Sequence, residues 1–236
     1  MSAIKNVDAF EKLVGLCSGY GESYDPGRQN LRHESLNQLL RHAREALQQV
    51  HRCVTAYQEA TNQREVLFGE LKTLAPRVLS ELQASGALPQ TIRDAQTFVR
   101  YAAGHGPRYR APLPKEGEPQ PPRKREARGT DYGSRVGHFD KLLQLLASEE
   151  HYRPQQAALR LASLQAFLER LREANRAVVT ATVNWQLARQ HRNEVVYRGS
   201  GNLVDTARAV KFQLRALFGS QSEAYLAARP IRFTQL

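Results

Sequence analysis

The sequence predicts an all-α protein: an elongated, coiled-coil-like helical bundle of two duplicated units, each a short helix, a long helix of about 40 residues and a helical return. Three observations carry this. Leu, Ala, Arg, Gln and Glu dominate, while aromatics make up only 8% of the 236 residues and extended runs of Val, Ile and Thr are scarce. The stretch Leu31–Leu71 has no proline, and its apolar seam reads Leu36, Leu40, Ala43, Leu47, Val50, Val54, Tyr57, Thr61, Arg64 and Phe68. Those steps of four and three are the period of a helix packed lengthwise on others, about 60 Å long. Finally, the second half repeats the first.

The repeat is read residue by residue. Val7, Phe10, Lys12, Leu13, Val14 and Leu16 match Val136, Phe139, Lys141, Leu142, Leu143 and Leu145. Tyr24, Pro26, Leu31, Ser35, Leu36 and Leu40 match Tyr152, Pro154, Leu159, Ser163, Leu164 and Leu168. Tyr57 meets Trp185, and Arg64 meets Arg192. Val78, Leu82 and Ala84 then match Val210, Leu214 and Ala216 after a small slip that falls in loops.

Each unit opens with a short helix, about 7–17 and 136–147, whose apolar positions follow helical spacing. A Tyr-x-Pro turn follows, at Tyr24-Asp25-Pro26 and Tyr152-Arg153-Pro154. The long helices cover 31–71 and about 159–197. In the first unit a return helix is expected over 73–84, started or broken by Pro76, and another over 90–103. In the second the return spans 203–218, with an N-cap from Ser200-Gly201-Asn202 and a stop at Gly219. Ser222 caps a last short helix, Pro230 ends it, and the tail Ile231-Arg232-Phe233 is expected to lie along the bundle. The chain thus divides into unit 1 (1–103), a Pro-rich basic linker (104–134) and unit 2 (135–236), the two units packing as one bundle with pseudo-two-fold symmetry.

The formal charge is +11, and residues 108–135 and 136–236 hold most of it, +4 and +6 against +1 for residues 1–107. An acidic partner fits that excess, although solvated Arg-rich helix faces account for it equally. The N-terminus lacks an apolar core of signal-peptide length, and no apolar run reaches membrane-spanning length. Cys17 and Cys53 read as small buried hydrophobes, which points to a reducing, cytoplasmic setting.

No catalytic constellation stands out. There is no phosphate-cradling Gly-rich loop, no nucleophile elbow and no His-Glu-x-x-His, and the seven histidines are scattered. The expectation is therefore no enzyme, no cofactor and no metal site. The chemistry that remains is the end of the second long helix. There the seam turns polar at Asn175, Thr182, Arg189 and Arg192, and Arg189, His191 and Arg192 form a candidate anion or partner site. A buried Arg192 needs a carboxylate or helix-end carbonyls, and Asp205, after the turn 198–202, is a candidate partner. In the linker, Arg123, Lys124, Arg125 and Arg128 are candidate nucleic-acid contacts.

Several features together carry a resemblance: Gly19-Tyr20-Gly21 with Tyr24-x-Pro26-Gly27; Ser134-Arg135 leading to Phe139; Tyr152-x-Pro154; Ala188-Arg189 with Arg192-Asn193; Leu203-Val204-Asp205-Thr206-Ala207; and Phe218-Gly219 before Ser222 and Tyr225. On these the chain resembles an uncharacterised family of internally duplicated, all-helical bacterial proteins. The resemblance covers most of both units but not the basic linker, which is longer here. It implies the fold and carries across no activity, cofactor or site residue.

Two functions follow as expectations. The first is a non-enzymatic cytoplasmic scaffold or interaction protein whose partner is another protein or a second copy of itself. The alternative is a nucleic-acid-binding accessory protein that uses the basic linker and the Arg-rich second unit. Membrane-surface association ranks last, because the apolar seams are narrow and poor in Trp and Phe.

Overall fold

The computed structural model describes residues 2–106 and 131–235, and among them it is helical with no strand. The order is α1 (Ser2–Gly19), α2 (His33–Ala84), α3 (Pro89–Ala102), α4 (Tyr132–Ser148), α5 (Leu161–Asn193), α6 (Leu203–Phe218) and α7 (Glu223–Ala228). No helix among the described residues is long and apolar enough to cross a membrane.

The long helix differs from expectation. It does not end near Leu71 and return; α2 runs for 52 residues straight through Pro76. Proline removes one N–H from the ladder and crowds the preceding turn, a cost of roughly 3 kcal/mol in a helix interior. Burial outweighs it: Leu71, Ala75, Val78 and Leu82, on both sides of Pro76, are all fully buried. The stretch read as the first unit's return is therefore the last part of α2. The linker also ends earlier than expected. Asp131 caps α4, accepting from the Ser134 amide at 3.0 Å and its hydroxyl at 2.6 Å, so the helix begins at Tyr132.

The second long helix keeps its expected reach. α5 passes at Glu194 into a five-residue π turn that ends at Arg198. The Gly199 amide closes it onto the Glu194 carbonyl at 2.8 Å. A Cβ on residue 199 would lie 2.9 Å from that carbonyl oxygen, which is why glycine stands there. Asn202 then caps α6, its side-chain oxygen accepting from the Asp205 amide at 2.9 Å. Gly219 ends α6 with φ of +90°, and Ser222 caps α7 through the Tyr225 amide.

The residues fall into two compact units, and these group the chain differently from the division into 1–103, 104–134 and 135–236. One is Met1–Tyr57 with Ala181–Leu236; the other is Gln58–Thr180. The first has a core of α1 (Val7, Phe10, Leu13, Val14), the start of α2 (Leu36, Leu40, Ala43) and α6 (Leu203, Val204, Ala207, Val210, Leu214). The second has a core of the end of α2 (Phe68, Leu71, Ala75, Val78, Leu82), α3 (Ala95, Val99), α4 (Val136, Phe139, Leu142, Leu143) and the start of α5 (Leu164, Phe167, Leu168, Leu171). Each core thus draws on both halves of the sequence.

The matched stretches share local geometry. The Tyr24 hydroxyl donates to the Leu31 carbonyl at 3.0 Å, and the Tyr152 hydroxyl donates to the Leu159 carbonyl at 2.9 Å. Each tyrosine thereby closes the turn that feeds a long helix and satisfies a carbonyl left free by a 3₁₀ turn.

Candidate functional site

The three residues expected to form an anion site do not converge. The Arg189 guanidinium lies over the Trp185 ring, 5.5 Å from its centroid, and Trp185 stacks on Tyr57 at 5.4 Å. Arg192 donates twice to Asn193 Oδ1, at 3.1 and 2.7 Å. His191 is exposed, two residues from Arg189 and hence on the other side of the helix. Asp205 is not the partner of Arg192. It accepts from Asn202 Nδ2 at 2.7 Å and lies 3.4 Å from Arg208. A carboxylate at the third residue of α6 serves the cap, and the Asn193 amide at the next residue already meets the guanidinium. Arg123, Lys124, Arg125 and Arg128 lie outside the described residues.

Arg64, the sequence counterpart of Arg192, stands in other surroundings. Its guanidinium lies 3.9 Å from the Tyr132 ring centroid. Arg135 lies 4.7 Å from the Phe68 ring and donates to the Ala102 carbonyl at 2.9 Å and the Phe68 carbonyl at 3.2 Å. Phe68 and Tyr132 meet edge to face at 4.7 Å, and Tyr101 stacks on His138 at 4.6 Å. Burial holds both Arg135 and His138 below their ordinary pKa values. The Ala102 and Phe68 carbonyls and the Phe68 ring hold Arg135, while Arg64 lies over the Tyr132 ring with its buried Nε lacking a hydrogen-bond partner among the described residues, and the cluster links the start of α4 to α2 and α3. The position matching Tyr132 in the first half is Ala3.

The first unit holds the more open chemistry. Asn6, fully buried, donates through Nδ2 to the Thr234 carbonyl at 2.7 Å and accepts from the Thr234 amide at 2.9 Å. Lys211 donates to the carbonyls of Arg229 and Ile231, with its ammonium near the Phe233 ring. The tail is thus held against α1 and α6 by its main chain. Asn6→Ala should free it, lowering stability by about 1–3 kcal/mol through loss of the two hydrogen bonds to the Thr234 main chain. Limited trypsin digestion checks this: cleavage after Arg232 should accelerate, and an unchanged rate would show that Asn6 does not hold the tail.

Beside the tail is an open cleft of about 450 Å³ lined by Lys5, Asp8, Ala9, Lys12, Pro230, Ile231 and Arg232. A second hollow, about 380 Å³, lies by Gln29, Asn30, Ser35, Leu39, Gly201 and Thr206. Burial pushes the Cys17 thiol up to about 11, so it stays protonated at neutral pH. No group of three or more His, Cys, Asp or Glu residues among the described residues could hold a metal ion.

What remains is surface. Val183 and Leu187 are 47% and 56% exposed, four residues apart on α5, and Val179, one turn earlier, is 64% exposed. On α6, Phe212 is 71% exposed between Arg208 and Arg215. Helical spacing shows which residues share a face, but not which face the fold leaves open, so sequence reasoning missed both features. Compared with protein-family models, curated proteins and solved structures, the chain matches none.

Proposed function

We propose that the chain is a non-enzymatic helical interaction protein that presents α5 to another protein or to a second copy of itself. The observation that supports this is the exposed apolar pair Val183 and Leu187, one helical turn apart on α5. Exposed aliphatic residues scattered singly need no explanation, but two that share one helix face four residues apart follow the spacing by which a helix packs lengthwise on a partner. The two free, buried cysteines suit a reducing cytoplasmic setting. The same reading takes the matched stretches as copies of one ancestral unit, supported by the tyrosine bond that both carry.

Sedimentation equilibrium and a pull-down, with and without nuclease, test this reading. A self-associating chain should exceed its monomer mass of 26.6 kDa at concentrations of about 10–100 µM. Val183→Glu, on an exposed site and so with little effect on stability, should abolish either that association or the retained partner. A monomeric chain whose retained proteins are indifferent to Val183→Glu would sink the proposal.

A second reading, a nucleic-acid-binding accessory protein, is favoured by a different observation. Residues 181–236 carry eight Lys+Arg against three Asp+Glu, and an exposed aromatic stands among them.

A further inference from the structure

We infer that the outer face of α6 is a platform for single-stranded nucleic acid, on which a base stacks against Phe212 while Arg208 and Arg215 meet the flanking phosphates. This rests on the second reading above and deepens it, naming the surface and the form of nucleic acid.

Phe212 is the first argument. At 71% exposure it is more open to water than any other large hydrophobic among the described residues. Burying such a ring is worth roughly 1.5–3 kcal/mol, yet the fold leaves it out while burying Leu203, Val204, Ala207, Val210 and Leu214 on the opposite side of the same helix. Its neighbours are the second. On a helix, residues three and four away share its face; for Phe212 these are Arg208, Ala209, Arg215 and Ala216. The two alanines leave room beside the ring for a flat partner. The two arginines supply cations at both ends of it. An aromatic ring flanked by arginines is the arrangement that holds single strands, because every base has a face to stack and every linkage a charge to neutralise. In a duplex the base faces are already stacked, so a lone protruding ring has nothing to receive there.

The neighbouring groups sharpen the assignment. Lys211 is occupied by the carbonyls of Arg229 and Ile231 and does not contribute. Arg208 keeps about half of its side chain exposed (48%) but is paired with Asp205, 3.4 Å away, and with the Gln235 amide oxygen once that amide is turned toward it, so a phosphate at Arg208 displaces these partners. Asp205 subtracts one charge from the face, but the 181–236 segment stays strongly positive.

The test is fluorescence anisotropy of the full chain with a labelled oligo-dT of about 20 nucleotides, the same length of duplex and an acidic peptide, across a salt series. The single strand should bind best. Phe212→Ala should weaken it about ten- to a hundredfold with the salt dependence unchanged, since stacking and not charge is lost. Phe212→Trp should restore it. Arg208→Gln and Arg215→Gln should each lower the slope of log affinity against log salt by about 0.7. All three positions are exposed, so circular dichroism should show these four variants folded. If the strand binds but Phe212→Ala matches the parent, the α6 platform is wrong while nucleic-acid binding through other cations stands. Equal affinity for duplex, or Phe212-dependent binding of the acidic peptide alone, also overturns the platform. No binding of any nucleic acid at low salt overturns both.

Discussion

Separated fragments 2–106 and 131–235 should each fail to fold alone, and mixing them should restore a cooperative melt. Each fragment keeps all but one terminal residue of a sequence-order unit, yet neither retains a complete core. The first would hold Val7, Phe10, Leu13, Leu36 and Leu40 without Leu203, Ala207, Val210 and Leu214. It would also hold Leu71, Val78 and Leu82 without Phe139, Leu142, Leu164 and Leu171. Losing even one large core side chain costs about 2–5 kcal/mol, and a domain's whole stability is about 5–15 kcal/mol. Helicity at 222 nm that is low and melts without cooperativity in each fragment, and recovers on mixing, is the expected result. A fragment that melts cooperatively by itself would show that a sequence-order unit is self-sufficient.

Stability should fall steeply between about pH 9 and pH 12, and buried acids are the reason. Burial pushes the Cys17 thiol from 9.0 up to about 11 and the Tyr152 hydroxyl from 10.0 up to about 12, and it raises Tyr24, beside Cys17, as well. In the unfolded chain these groups lose their protons at ordinary values, while in the folded chain they keep them longer. The folded state then binds more protons, so the free energy of unfolding decreases as pH rises. Their contribution is fully present below about pH 9 and is lost as pH climbs through the folded-state values. For Cys17 alone the gap corresponds to roughly 2–3 kcal/mol. Lys211 acts in the opposite sense, since burial lowers its ammonium, so the comparison with Cys17→Ala isolates the thiol. Urea midpoints at pH 7, 9 and 10.5 decide it. The parent should drop sharply between the last two and Cys17→Ala less so; a flat parent profile would show that these groups titrate freely.

The helices were legible because helix formation is local. Composition, a seam stepping by four and three, and end residues such as Asn202, Gly219 and Ser222 placed α5, α6 and α7 to within a few residues. Pro76 misled, because a propensity of roughly 3 kcal/mol speaks loudly in sequence and the burial that offsets it is not visible there. The candidate site was less legible. That His191 points away from Arg189 follows from spacing alone and could have been read from it. That Arg64 stacks on Tyr132, that Asn6 holds Thr234, and that Phe212 stands in water could not, since each depends on chain segments 68 or more residues apart or on what the fold leaves uncovered.

The sequence by itself determined that this chain is helical, where most helices start and stop, and which stripe of each is apolar. Those properties rest on hydrogen bonds four residues apart and on a period of 3.6. Only the tertiary structure decided that the start of α2 shares a core with α6, and its end with α4 and the start of α5. Each of these helices carries an apolar stripe, and a stripe by itself does not name the helix it packs on. Local rules leave that choice open, and close packing of particular side chains settles it.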